Sequence, residues 1–203
     1  MEMERGRAEM NKGRLEAYTD AIVAIVVTIL VLDFKAPDRP DIRLVWADWK
    51  SFLVYIVSFI LIFSTWLDHQ LLFRLSERLT RGVFWANALW LFFLSLIPYV
   101  TSFSGKFPNY GWASVLYTAV LFCWTISYIL LARELAHANP DQAALINKVG
   151  FRQPRDFAIY EGSLLVTLVL GYFIPWLIWF VLIGLSGWTI LFNRGLQPVD
   201  KLK

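Results

Sequence analysis

Residues 83–105 read VFWANALWLFFLSLIPYVTSFSG, a stretch of 23 positions without an Asp, Glu, Lys or Arg. A helix of that length spans about 35 Å, enough to cross the roughly 30 Å hydrocarbon core of a bilayer. Two further stretches, 51–67 and 107–132, also contain no charged residue. Together the three stretches predict an all-α protein that lies within a membrane.

The composition of the whole chain supports this prediction. Of its 203 residues, 58% are hydrophobic and 17% aromatic, and the mean hydropathy is +0.53. The hydrophobic share exceeds the apolar share of soluble domains. The net charge is +3, and the basic residues lie between the hydrophobic stretches rather than in one stripe. They therefore indicate membrane topology and give no sign of nucleic-acid binding. Cys123 is the single cysteine, so neither an intrachain disulfide nor a cysteine-type zinc site is expected.

The uncharged stretch 162–193 is 32 residues long, about 48 Å as one helix and too long for a single crossing. Gly171 and Pro175 favour a break within it, with one long kinked helix as the alternative. The break predicts six transmembrane helices in a single domain that comprises residues 1–203. The predicted helices are 14–34, 51–67, 83–103, 112–132, 157–173 and 176–192, and residues 133–156 are predicted as a loop.

The distribution of basic residues predicts the orientation of these helices. With six crossings, fourteen Lys and Arg residues fall on the side of both termini and five on the other side. An excess of basic residues marks the cytoplasmic side of a membrane. We therefore expect both termini in the cytoplasm.

The first hydrophobic segment is unusually short. Its uninterrupted apolar part, 21–32, would cover only about 18 Å as a helix, and it lies between Asp20 and Asp33. Charged residues at such a depth need neighbouring protein or water. We therefore expect this helix to be shielded from lipid by other helices or by a water-filled vestibule.

One face of this first helix is aliphatic. Ile25, Ile29 and Leu32 follow a spacing of i, i+4 and i+7, and Thr28 lies at the edge of the same face. Such a stripe in a membrane helix is normally a lipid or packing contact. The stripe alone therefore does not predict a pore, although the short apolar length favours one.

The run 14–20, RLEAYTD, opens directly into this helix and resembles the Arg-x-x-x-Phe-Ser-Asp signature of the transmembrane protein 175 family, the lysosomal potassium channels and their prokaryotic relatives. Arg14 and Asp20 match the signature, whereas Tyr18 and Thr19 replace its Phe and Ser. The resemblance covers the first half of the chain in motif. It extends to Trp66, His69, Leu72, Phe73, Trp85, Ala86, Asn87, Ser95, Pro98 and Thr101.

The resemblance implies a potassium-permeable channel in a prokaryotic cell membrane. Its subunits would form a homotetramer around a central pore lined by helix 1, with potassium as the permeant ion and no cofactor or resident metal. The narrow point carries over to Ile25 as the gate, with Ile29 and Leu32 as further layers. Thr28 matches a position linked to selectivity.

Elementary physics is consistent with a gate of this kind. Four aliphatic side chains that meet on an axis leave no room for a hydrated cation, and such a constriction closes by dewetting. The sequence has no Thr-Val-Gly-Tyr-Gly loop, so a filter of backbone carbonyls is not expected. We therefore expect only modest selectivity for potassium over sodium.

We interpret the signature residues as structural. Arg14, Tyr18, Thr19 and Asp20 would hold the start of the first helix, with Asp20 bonded toward the second and third helices near His69. Charged groups solvated at the membrane interface are the alternative for Arg14 and Asp20. For His69 we favour a hydrogen-bonded brace between helices over a pH sensor.

Two other functions stay open at this point. A proton-coupled secondary transporter would use Glu161, the single carboxylate within the predicted fifth helix. A structural or enzymatic membrane protein would use Asp68 and His69. The sequence contains no metal-binding pair, nucleophile elbow or phosphate-binding glycine loop, so we do not predict an enzyme.

Overall fold

The computed structural model describes residues 12–32, 39–150 and 154–192, and their side chains except those of 154–157 and 188–192. Regular structure in this part of the chain is helical, as the sequence predicted. The helices are α1 Lys12–Leu32, α2 Ile42–Ala47, α3 Trp49–Leu75, α4 Arg81–Lys106, α5 Gly111–Ala138, α6 Ala143–Gly150, α7 Pro154–Leu170 and α8 Leu177–Phe192, with a 3₁₀ turn at Pro140–Gln142.

Four of the described helices, α1, α3, α4 and α5, are long and apolar enough to cross a membrane. The last two are shorter, with apolar parts at Ala158–Leu170 and Leu177–Gly187. Large apolar side chains on the outside of the bundle, such as Phe92 and Trp112, are exposed. The chain is therefore an integral membrane protein.

The chain breaks between α7 and α8, where Gly171 and Pro175 predicted a turn. The Gly171 N–H still donates to the Thr167 carbonyl at 2.7 Å, and the Ile174 N–H donates to the Leu170 carbonyl at 2.9 Å. Pro175 then ends this pattern, because proline has no N–H to donate. The alternative of one long kinked helix is therefore wrong.

Helix α3 extends beyond its predicted end at residue 67. Asp68 does not terminate it, since the apolar stripe continues through Leu71, Leu72 and Leu75, which are all buried. Helix α5 likewise continues past its predicted end at residue 132. Both helices are longer than predicted because their apolar faces pack against protein beyond the uncharged stretches.

The predicted loop 133–156 contains a short helix instead. Ile146 and Val149 of α6 are buried in an apolar cluster with Leu72 and Leu135. Gly150 lies so close to Ala132 that an added Cβ would overlap the Ala132 side chain. This segment is ordered because it covers the end of the bundle formed by α3 and α5.

The centre of the bundle is built from α4 and α5. Trp90 and Trp124 are fully buried there, with ring centroids 6.0 Å apart and ring planes inclined by 25°. Lipid tails are as apolar as leucine, so close packing and polar contacts hold such helices together rather than the hydrophobic effect. Helix α1 packs on α3 and α4, α7 packs on α5, and α8 packs on α3 and α7.

Candidate functional site

Helix α1 has two distinct faces. One face packs on the bundle, and its buried side chains are Leu15, Thr19, Val23, Val26 and Leu30. The other face carries the four residues predicted to line a pore. Within the chain, Ile25 is 57% exposed, Ile29 42% and Leu32 75%, and Thr28 is exposed beside them. The aliphatic face of α1 therefore lies outside the buried core of the chain.

The Thr28 hydroxyl is oriented by its own helix. It donates to the carbonyl oxygen of Ile25 at 2.7 Å, so its single hydrogen is directed back to the backbone. A hydroxyl that donates in this way keeps oxygen lone pairs for another partner. Thr28 therefore presents an acceptor at the edge of an otherwise aliphatic face.

The buried face of α1 is anchored to α4 through a polar side chain. The Asn87 Nδ2 group donates to the Thr19 hydroxyl oxygen at 2.9 Å. The Asn87 Oδ1 atom lies 2.8 Å from His69 Nε2, and because the amide oxygen only accepts, the imidazole donates this bond. One asparagine of α4 thus links α1 with α3, and all three side chains are buried.

His69 is also enclosed by aromatic rings. The rings of Phe73 and Trp90 each lie with their centroids 4.5 Å from the imidazole, at interplanar angles of 20° and 21°. Such stacking restricts the imidazole to one orientation. The structure therefore holds His69 as an internal link between helices, which is the arrangement that the brace interpretation requires.

The other signature residues lie near this anchor. The indole Nε1 of Trp66 in α3 donates to Asp20 Oδ1 at 2.8 Å, so Asp20 does contact the second membrane helix. Tyr18 is 62% exposed, and Arg14 lies on the same exposed side of α1. Thr19 and Asp20 of the signature thus contact the bundle, whereas Arg14 and Tyr18 occupy exposed positions of α1.

A lysine holds the start of α1 against the end of α3. The Lys12 ammonium group donates to the Ser76 carbonyl oxygen at 2.7 Å, and Ser76 is the C-terminal cap of α3. The Lys12 ammonium group also lies 3.9 Å from the Glu16 carboxylate. A cation at a helix C-terminus is stabilised by the helix dipole. Lys12 therefore fixes one end of α1, and Asn87 fixes its middle.

A second polar cluster was not predicted from the sequence. The Ser58 hydroxyl in α3 lies 2.9 Å from Thr101 Oγ1 in α4 and 2.8 Å from the Tyr117 hydroxyl in α5. Ser58 itself donates to the Val54 carbonyl at 2.8 Å. All three hydroxyl groups are buried. The sequence feature that indicates such a cluster is a polar side chain within an uncharged hydrophobic stretch, since membrane helices commonly use such side chains to bond to neighbouring helices.

The residues of the two alternative functions lie outside the exposed aliphatic face of α1, although His69 belongs to the cluster that anchors α1 through Asn87. Glu161 is buried in α7 with 6% of its surface exposed, while Asp68 and His69 belong to α3. Within the described ranges, no three His, Cys, Asp or Glu side chains lie close enough together to hold a metal ion.

Membrane-length helices joined by neutral polar bonds define an integral membrane protein with an all-helical bundle. The chain belongs to the family described as endosomal/lysosomal potassium channel TMEM175, whose family model matches residues 14–98. The resemblance inferred from the signature is therefore confirmed.

Individual relatives agree with this assignment. A potassium channel of Chryseobacterium sp. (strain P1-3) is 33% identical over 140 residues, which cover 67% of this chain and 71% of that protein. The human protein, named endosomal/lysosomal proton channel TMEM175, is 32% identical over 101 residues. Those residues are 44% of this chain and only 20% of the human protein.

The fold has a solved counterpart. A crystal structure described as a lysosomal potassium-selective channel TMEM175 homolog from Chamaesiphon minutus superposes with a TM-score of 0.75. The match covers 90% of this chain and 98% of that one at 24% sequence identity. At this identity the match establishes the fold.

Proposed function

We propose that the chain forms a potassium-permeable cation channel whose pore is lined by α1. Six-helix subunits, each a single domain of residues 1–203, assemble as a homotetramer with four copies of α1 around a central axis. The observation that carries the proposal is the exposed face of α1, with Ile25, Thr28 and Leu32 turned away from their own subunit. Several relatives, such as the Chryseobacterium protein, are named potassium channels.

The anchoring of α1 supports a pore in preference to a lipid contact. Bonds from Asn87 to Thr19 and from Trp66 to Asp20 fix the rotation of α1 about its own axis. The apolar part of α1, 21–32, is about 18 Å long, short for a helix that faces lipid. A central position shields its charged ends with protein and water.

The proposed gate is a ring of four Ile25 side chains. Aliphatic side chains on an axis exclude hydrated cations, so this ring closes the pore by dewetting. Ile29 and Leu32 form wider layers beyond it. Opening requires a tilt or rotation of α1 that widens the ring enough for a partly hydrated cation. The Thr28 oxygens then replace part of the lost hydration, which gives modest selectivity for potassium over sodium.

The proposed topology uses all six predicted crossings. Helices α7 and α8 are short, but in this topology each crosses the membrane once. The turn between them reverses the chain, so that α8 returns it to the side of the termini. Both termini lie in the cytoplasm of a prokaryotic cell, where the excess of basic residues belongs. The partners are lipid, potassium ions and other copies of the chain, and neither a cofactor nor enzymatic activity is part of the proposal.

Proton permeation is a second candidate function. Animal relatives, the human protein among them, are named proton channels. A proton-coupled transporter based on Glu161 is a separate possibility, which the buried position of that carboxylate in α7 favours. A passive channel and a coupled transporter differ in whether flux saturates and needs a proton gradient.

Purified protein in liposomes with a potassium gradient tests the proposal. We expect a potassium flux that does not saturate, needs no proton gradient and persists in Glu161→Gln, whose side chain has nearly the same shape without the charge. A flux that saturates, follows the proton gradient and is lost in Glu161→Gln would establish the transporter instead. Absence of cation flux from a correctly assembled oligomer would contradict the channel.

A further inference from the structure

A second feature of the structure lies far from the signature residues. A cavity of about 300 Å³ opens at the end of the bundle where α3 and α8 begin and α4 connects to α5. Its walls are formed by Trp49, Lys50, Leu53, Pro108, Asn109, Trp176, Trp179, Phe180 and Ile183. None of the pore-lining or anchoring residues of α1 takes part.

The cavity has a polar end and an apolar end. Lys50 and Asn109 are exposed near the first turn of α3 and in the loop before α5. From there the wall runs from Trp176, directly before α8, to Phe180 and Ile183 on α8, a distance of about 10 Å. Four aromatic rings line this route in total. A molecule that fits must therefore carry a polar head and an extended apolar part.

Charge selects the class of head group. Lys50 brings a cation, and no acidic residue is among the described residues that line the cavity. The nearest carboxylate along the chain, Asp48, accepts a hydrogen bond from the Ser51 hydroxyl at 2.6 Å. Lys106 at the same end of the bundle lies 5.5 Å from the centre of the Phe107 ring. Lys50 is therefore the cation available to the head group in this cavity.

We propose that this cavity binds one anionic phospholipid per subunit. The phosphate contacts Lys50 and the Asn109 amide, and one acyl chain lies along Trp179, Phe180 and Ile183. Trp49 and Trp176 are exposed at its mouth, as indole groups commonly are at the level of lipid head groups. The lipid bridges α3 to α8. The proposal requires membrane insertion and is independent of ion conduction.

Native mass spectrometry of the purified oligomer, titrated with phosphatidylglycerol or phosphatidylcholine, tests this site. A single basic residue near a membrane surface favours anionic lipid about fivefold. We therefore expect Lys50→Gln to weaken phosphatidylglycerol binding about fivefold and to weaken binding of phosphatidylcholine, whose head group is neutral overall, by less. Lys106→Gln is the matched control, since it removes a cation from the same end of the bundle but outside the cavity. Equal effects of the two variants would overturn the proposal.

Two further measurements protect the test from a folding defect. Ile183→Trp fills the apolar end, so we expect it to weaken binding of both lipids while the oligomer mass stays unchanged. Brominated phosphatidylglycerol added to the wild-type protein should give bromine density along α8 in a cryo-EM map. Unchanged binding in Ile183→Trp, or a neighbouring subunit seated in the cavity in that map, would overturn the lipid assignment.

Discussion

The Asn87 amide of α4 donates to the Thr19 hydroxyl of α1 across 2.9 Å, and the same amide accepts from His69 of α3. Thr19 and Ile25 lie on different faces of α1. A bond that holds Thr19 against the bundle therefore also determines where Ile25 points. One rotation of α1 about its axis thus places the signature residue Thr19 against the bundle and the proposed gate residue Ile25 on the exposed face.

Replacing Asn87 with leucine should destabilise the subunit. The change removes both bonds and leaves two buried polar groups, Thr19 and His69, without this partner. Hydrogen bonds between membrane helices contribute about 1–2 kcal/mol each at most. We therefore expect Asn87→Leu to lower the free energy of unfolding by about 2 kcal/mol, measured by denaturation with SDS in mixed micelles. Ser95→Ala is the control, because the exposed Ser95 hydroxyl bonds only the Phe92 carbonyl of its own helix. Equal stability of the two variants would contradict the anchor.

A close contact at Gly111 gives a second prediction. An added Cβ there would overlap the backbone carbonyl of Tyr172 in the turn between α7 and α8. Overpacking of this kind typically costs about 1–3 kcal/mol, so Gly111→Ala should lower the Tm in detergent. Gly162→Ala is the matched control, since a Cβ at that position meets nothing within 4 Å beyond its own stretch of helix. If the two alanine variants melt together, α5 does not pack on this turn as described.

Much of the fold was predictable from the sequence because hydrophobic length is a strong signal in membrane proteins. The break at Gly171 and Pro175 and the four long helices follow from it. The ends of α3 and α5 do not, because the charged Asp68 and Arg133 predict boundaries that lie before the observed ends at Leu75 and Ala138. Burial of Leu71 and Leu72 and of Leu135 against α6 outweighs one charged residue at a helix surface.

The contacts between helices were much less predictable. Thr19 and Asn87 are 68 positions apart, and nothing in a single sequence pairs them. Asn87 belongs to the family resemblance, but the sequence alone predicts no role for it. The Ser58 cluster was missed for the same reason, because each hydroxyl alone is unremarkable in a helix. For Asp20 the sequence predicts a bond near His69, and the observed partner is Trp66, which lies about one turn before His69 on α3.

Making the proposed gate polar should open it. In Ile25→Asn four amide groups would hydrate the narrowest ring, which removes the dewetting barrier. We expect a potassium flux into liposomes at least several times that of the wild type. Leu130→Asn serves as a control, since Leu130 is an exposed aliphatic residue on α5. A gate elsewhere is indicated if both variants conduct like the wild type while their oligomers remain intact.

The Thr28 oxygen gives a prediction for selectivity. Thr28→Ala removes an acceptor from the pore face, so a cation loses part of its substitute hydration there. Because potassium sheds water more readily than sodium, we expect a changed potassium-to-sodium permeability ratio, measured from reversal potentials. Thr125→Ala is matched to it, because the Thr125 hydroxyl makes the same i to i−3 bond, to Phe122 in α5, at 2.9 Å. An identical ratio in both variants would remove Thr28 from the permeation path.

The central claim, that α1 faces an aqueous pore, is tested most directly by cysteine accessibility during potassium conduction. In a Cys123→Ala background, single cysteines at 25, 28 and 32 are exposed to a cationic thiol reagent that does not cross membranes. Only a thiolate in contact with water reacts. Val26→Cys, on the buried face, and Leu116→Cys, on the outside of α5, are the controls.

We predict rapid block of the potassium current by the reagent in Ile25→Cys, Thr28→Cys and Leu32→Cys, and no block in either control. If the cysteine at position 25 stays as unreactive as those at 26 and 116 while the channel conducts, α1 does not line the pore.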